Sequence, residues 1–154
     1  MKIGKLNKED IKELAILMFE LYKKWDKIDP IDRVDKKWFC SREHYAYIYK
    51  LLKDKNCLVL IAEENKKIVG YIISFIQERQ PFLKKVGYIS ETYTLPSMRG
   101  KGIAKQLVKY TFDWFKKYNL SWYVVSTHSL DKEANSFWKN KGFKEFNKVL
   151  KKKS

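Results

Sequence analysis

The stretch Thr94-Leu95-Pro96-Ser97-Met98-Arg99-Gly100-Lys101-Gly102-Ile103-Ala104 holds the densest chemical signal in the chain. Its small residues let backbone N–H groups approach an anion closely. A helix starting just beyond such a turn adds unpaired N–H donors and a partial positive charge. The chemistry expected there is binding of a phosphate or pyrophosphate. Two common phosphate motifs do not fit. The dinucleotide fingerprint needs a third glycine or alanine where Lys105 stands, and the P-loop needs four residues between its glycines. An ordinary tight strand-to-helix connection uses the same small residues, so this turn needs a second signal beside it.

Groups that can move a proton stand nearby in sequence. Glu91 lies on the run leading into the turn, with Tyr93 and Leu95 as alternation partners. Its carboxylate can take a proton directly or through water, or can simply pair with a lysine on the sheet surface. His128 follows a later apolar run and has the intrinsic pKa of a proton shuttle, although a lone histidine is more often structural. Tyr88 and Tyr93 are further candidates. Asp26, Asp29, Asp32 and Asp35 recur every three residues. They can attract a cationic amine, or be balanced locally by Lys24, Lys27, Arg33, Lys36 and Lys37. Trp38, with Phe39, Trp25 and Tyr45, can wall a pocket or fill the core beneath that segment. Cys40 and Cys57 are too few for a disulfide framework, and no Cys/His cluster has metal-ligand spacing, so no metal is expected.

These residues need elements to position them. A short strand near Lys2 to Leu6 precedes a helix capped by Asn7, whose apolar residues Ile11, Leu14, Ala15, Met18, Leu21, Tyr22 and Trp25 follow helical spacing. A polar loop from Asp26 to Ser41 leads to a second helix carrying Tyr45, Ile48, Tyr49 and Leu52. Cys57 to Ala62 and Ile68 to Ile76 read as an antiparallel hairpin, followed by a strand from Val86 to Leu95. Ile103, Leu107, Tyr110, Thr111 and Trp114 form a helical stripe, Ser121 to Thr127 a strand, and Ala134, Phe137 and Trp138 a short helix stopped near Gly142. Phe143 to Leu150 reads as a last edge strand. The order β, α, α, β, β, β, α, β, α, β predicts an α/β (α+β) fold: a mixed, mostly antiparallel sheet with helices on both faces.

The bulk numbers set wider bounds. One domain spanning residues 1–154 is expected from the length and the 45% hydrophobic share. No stretch reaches the roughly 20 apolar residues of a membrane span, and the first residues lead into charges, so a cytoplasmic location is expected. The formal net charge of +15 suits an anionic cofactor or nucleic acid. The lysines are spread along the chain without a nucleic-acid reader motif, which favours general surface composition.

With that order of elements, the turn resembles the acetyl-CoA signature of the GNAT superfamily of N-acetyltransferases, Gln/Arg-x-x-Gly-x-Gly/Ala, with Arg99, Gly102 and Ala104 at the fixed positions. Thr94-Leu95-Pro96 sits where the family has Val-x-Pro. The family's C-terminal pattern Asn-x-x-Ala-x-x-Phe-Tyr-x-x-x-Gly-Phe is approached by Asp131 to Phe143, including Ala134, Phe137, Gly142 and Phe143. Two motifs in the right order supply the second signal.

The resemblance implies a splay between two central parallel strands, one ending at Leu95 and one spanning Ser121 to Thr127, with acetyl-CoA bound in the opening. It places the cofactor along Thr94 and Leu95, at Arg99, Gly100, Lys101, Gly102, Ile103 and Ala104, and against Asp131, Asn135 and Trp138. A backbone N–H at or near Thr94 would stabilise the oxyanion, and transfer to a primary amine would be direct. Glu91 and His128 are the candidate proton carriers. The acceptor, a polyamine, an amino compound or a protein amine, would enter near Asp26, Asp29, Asp32 and Trp38. A homodimer is compatible with the family. The match departs at Trp138, where the family's tyrosine commonly protonates the leaving thiolate; an indole cannot do so. It departs also at Asp131, where asparagine is usual and Asn135 one turn on can compensate. A non-catalytic acyl-CoA-binding regulator is therefore the alternative, and a basic nucleic-acid-binding protein a more distant one.

Overall fold

The computed structural model describes residues 1–154. The helices are α1 (Ile11–Ile28), α2 (Lys36–Phe39), α3 (Arg42–Lys53), α4 (Ile103–Lys117) and α5 (Lys132–Lys139). The strands are β1 (Lys2–Lys5), β2 (Cys57–Glu64), β3 (Lys67–Arg79), β4 (Phe82–Thr94) and β5 (Tyr123–Val125), forming one sheet in the order β1-β2-β3-β4-β5. Every pair is antiparallel except β4 with β5.

Alternation along β2 sends its side chains to opposite faces. Val59 and Ile61 join Leu14, Met18, Leu21 and Ile48 under α1 and α3, whereas Leu58, Leu60 and Ala62 join Leu107, Val108 and Phe115 under α4. Helices thus cover both faces of the sheet, as the alternation predicts. Burial of α1's stripe dominates its stability. Each fully buried large apolar side chain contributes about 1.5–3 kcal/mol. The exposed Glu20–Lys23 pair adds at most about 1 kcal/mol.

The structure corrects several expectations. Asn7 precedes a 3-10 turn (Lys8–Asp10) that runs into α1, and α1 continues to Ile28, beyond the expected break at Asp26. The segment read as a loop contains α2, whose first turn is capped by Asp35 accepting the Lys37 N–H at 2.9 Å. Phe143 to Leu150 is not a strand. Phe143 packs beneath α4 and α5, but Phe146, Val149 and Leu150 are exposed. Phe143 and Phe146 would fall on opposite faces of a period-two strand, as would Val149 and Leu150, so no single apolar face exists. The parallel pair is therefore not central, because β5 forms the sheet's edge.

One irregularity in β4 matters for the site. Ile73 pairs with Glu91 and Ser74 with Ile89, which leaves Ser90 as an extra residue in a β-bulge. Gly87 and Ile89 face α4, whereas Glu91 and Tyr93 turn towards α1.

Candidate functional site

The β4–β5 ladder covers only Gly87↔Tyr123 to Ile89↔Val125, with one further long bond from Ser126 N–H to Ile89 O. Beyond it both segments continue without pairing, β4 to Thr94 and the other chain to His128. An open cleft is lined by residues of both, together with Lys24, Trp25, Arg99, Glu133 and Trp138. The opening expected between the two strands is present.

Ladder geometry fixes which backbone groups face it. Leu95 N–H donates to Val69 O at 2.9 Å, and antiparallel strands alternate the direction of their hydrogen bonds. The N–H and C=O of Thr94 consequently point away from β3, into the cleft. Its carbonyl accepts Arg99 Nε at 3.2 Å on that side.

The turn after β4 carries Gly100 and Gly102 in the left-handed region, at φ of 79° and 77°. Gly102 is the N-cap of α4, and the first bond it accepts is from Gln106 N–H. The amides of Ile103, Ala104 and Lys105 therefore have no intrahelical acceptor. Both glycines face open space, so a ligand can approach their backbone. Ile103 is buried and anchors the helix start against β3, while Leu95 bridges the two cores.

Glu91 lines the cleft but pairs with no lysine. Tyr22 donates its phenol to Oε1 at 2.9 Å and Tyr71 donates to Oε2 at 3.0 Å. Burial pushes the carboxyl above its ordinary value, against the opposing pull of the two phenol hydrogen bonds. Burial and the neighbouring Glu91 charge push both phenols well up, so they remain donors.

At the other lip, Asp131 is the N-cap of α5, accepting Ala134 N–H at 3.1 Å, and it binds Lys24 Nζ at 2.8 Å. Its burial raises the carboxyl's pKa, but Lys24 and the Ala134 N–H outweigh this and hold it below the ordinary range. Asn135 is used locally: its amide donates to the carbonyls of His128 and Ser129 at 3.0 Å each, and its oxygen accepts the Thr127 hydroxyl. Trp138 is both core and wall, being 3% exposed against Phe137 and Phe143 while lining the cleft.

His128 borders the cleft with both ring nitrogens engaged. Nδ1 accepts Leu130 N–H at 3.1 Å, which puts the proton on Nε2, 3.1 Å from Asp32 Oδ2. The aspartates expected near the acceptor are likewise occupied. Asp26 accepts Val34 N–H, and the buried Asp29 binds Lys151 and Ile31 N–H, contacts that hold its carboxyl low. Trp38 packs on Phe39 and His44 and is not part of the cleft wall. Cys57 is no nucleophile: burial, then the Asp54 charge, pushes its thiol up to about 12.

Sequence reasoning missed Lys24 and Glu133 as cleft residues, and gave no sign that the phenols of Tyr22 and Tyr71 reach Glu91 from the core. Their spacing along the chain carries no sign of the site, because each reaches it across the fold.

Comparison with known proteins bears on the family and the fold. Residues 21–143 match the acetyltransferase (GNAT) family. An uncharacterized N-acetyltransferase of Methanocaldococcus jannaschii is 28% identical over 149 residues, covering 93% of this chain; the chain spans 60% of that relative's length. An aminoglycoside N-acetyltransferase solved with CoA superposes with a TM-score of 0.75 at 17% identity, over 99% of this chain and 98% of its own. A ribosomal-protein-alanine N-acetyltransferase from Brucella melitensis gives 0.72 at 18%, over 98% and 97%. These structural likenesses concern the fold, whereas the family match extends over most of the chain. By that match, this chain belongs to the GNAT acetyltransferase family.

Proposed function

We propose that the protein transfers an acetyl group from acetyl-CoA directly to a primary amine. The observation that carries this reading is the Thr94 N–H aimed into the β4–β5 opening, with the free amides of α4 beyond it. The pyrophosphate would lie on the turn from Arg99 to Ala104, and pantetheine along Thr94 and Leu95.

The amine nitrogen attacks the thioester carbon, and the carbonyl oxygen becomes an oxyanion stabilised by the Thr94 N–H. Glu91 takes the amine's proton, directly or through water; its raised pKa suits a base working nearer neutrality. The C–S bond then breaks, the acetyl stays on nitrogen, and the thiolate leaves to be protonated by water. Trp138 contributes packing only, and His128 holds the loop after β5.

Two acceptor classes are named among structural neighbours, aminoglycosides and a ribosomal protein's alanine, and both present an amine. For this chain the acceptor is a small amino compound, such as a polyamine, or a protein amine. The second reading, a non-catalytic acyl-CoA binder, is favoured by the buried Trp138 at the family's tyrosine position. Release of free CoA from acetyl-CoA across polyamines, amino sugars and lysine or N-terminal-amine peptides separates them. Acceptor-dependent release supports the enzyme; CoA binding without release across the panel supports the binder.

A further inference from the structure

A chain of charged side chains crosses the cleft mouth, and the transfer chemistry uses none of its links. Asp131 binds Lys24, whose Nζ also lies 3.1 Å from Glu133 Oε2. Both oxygens of Glu133 lie 2.9 Å from Arg99 Nη1, and Arg99 Nε binds Thr94 O. Glu133 is the only member of the chain that touches both cations. It joins α1 and α5 to the turn that precedes α4.

Arg99 stands where an incoming pyrophosphate needs a cation, yet one of its two outer nitrogens, Nη1, is already held by a carboxylate, which fixes the direction of the fork. An anionic ligand on the turn meets Glu133 at short range, and like charges there repel. Arg99 can keep Glu133 or turn its fork to a phosphate. We infer that Glu133 is a specificity-determining residue that stands in for phosphate in the free protein. It latches the lips of the cleft and yields Arg99 only to a multiply charged anion such as the diphosphate of the cofactor. This inference rests on the cofactor reading above.

The pair is solvent-exposed, with side-chain exposures of 35% for Arg99 and 55% for Glu133, so the effect is modest. Removing the competing charge in Glu133→Gln should tighten binding of CoA, and of its nucleotide half 3′-phosphoadenosine 5′-diphosphate, about two- to fivefold by calorimetry. The gain should shrink as salt rises. Glu133→Gln should not tighten binding of S-acetylpantetheine, which lacks the diphosphate. Equal or weaker CoA binding by the variant, or a gain that S-acetylpantetheine shares, overturns the inference.

A second measurement needs no ligand. Amide hydrogen exchange across Arg99 to Gly102 should be faster in Glu133→Gln than in the wild type, and unchanged exchange overturns the latch. Wild-type protein that fails to bind CoA would sink the cofactor reading and the specificity role with it. The exchange data would then decide the latch alone.

Discussion

Tyr22 of α1 donates its phenol to Glu91 of β4 at 2.9 Å, across 69 positions of sequence. The contact exists because the extra residue Ser90 turns Glu91 towards α1. Without that bulge, Glu91 would share the α4-facing side with Gly87 and Ile89.

Glu91→Gln should lower kcat/KM by about 10²-fold or more, since it removes the base while keeping an oxygen for one phenol. Wild-type activity should rise with pH through Glu91's raised value, and steady-state rates over a pH series will show whether the variant loses that limb.

The same shift predicts a stability effect of defined sign. Glu91's folded value lies above the ordinary 4.5. The folded protein therefore keeps the proton where the unfolded chain has lost it. Its contribution is full below the unfolded value and falls as pH rises through the folded one. Denaturant unfolding of wild type and Glu91→Gln across the acid-to-neutral range should give a difference that declines with pH and then levels.

Gly102→Val should weaken CoA binding at least about tenfold and destabilise the fold by about 1–2 kcal/mol. A branched side chain at φ 77° is strained although no neighbour blocks it. Calorimetry and thermal unfolding read the two effects separately, and unchanged affinity would misplace the phosphate turn.

The glycine turn and α4 were legible because their information is local: glycines, a helical stripe and a fixed spacing lie within one short segment. The sheet's middle was legible from the apolar runs of β2 and β3. The outer hairpin of β3 and β4 was not, because Gln77 to Arg79 and Phe82 to Lys85 are largely polar or exposed and carry no alternating face. The partners of Glu91 and Arg99 were hidden for another reason. Tyr22, Tyr71 and Glu133 reach them through tertiary packing, and the bulge at Ser90 leaves no mark in the sequence pattern. The periodic aspartates read as a lure for an amine or as charges balanced by nearby lysines; in the fold Asp26 accepts Val34 N–H, Asp35 caps α2, Asp29 binds Lys151 and Asp32 lies against His128.

Asp131→Ala should cost about 1 kcal/mol through the lost cap of α5, and more from removing one of the two carboxylates that hold Lys24. Asp131→Asn keeps the cap and should fall between the two. Asp131's lowered value means its stabilisation is present above the unfolded value and is lost as pH falls through the folded one. Thermal melts of the three proteins at acid and neutral pH check both statements.

Gly87→Ala should destabilise by about 1–3 kcal/mol, because the added methyl would sit 2.5 Å from the Phe115 ring. Phe115→Leu in the same chain should recover part of that loss, and a double-mutant cycle of unfolding free energies measures the coupling.

The β4–β5 opening and the start of α4 are proposed to hold acetyl-CoA. Titrating isotope-labelled protein with acetyl-CoA and following backbone amide shifts tests it directly. The largest changes should fall on Thr94 and on Gly102, Ile103 and Ala104; saturating shifts confined elsewhere, or none at millimolar cofactor, would overturn this placement.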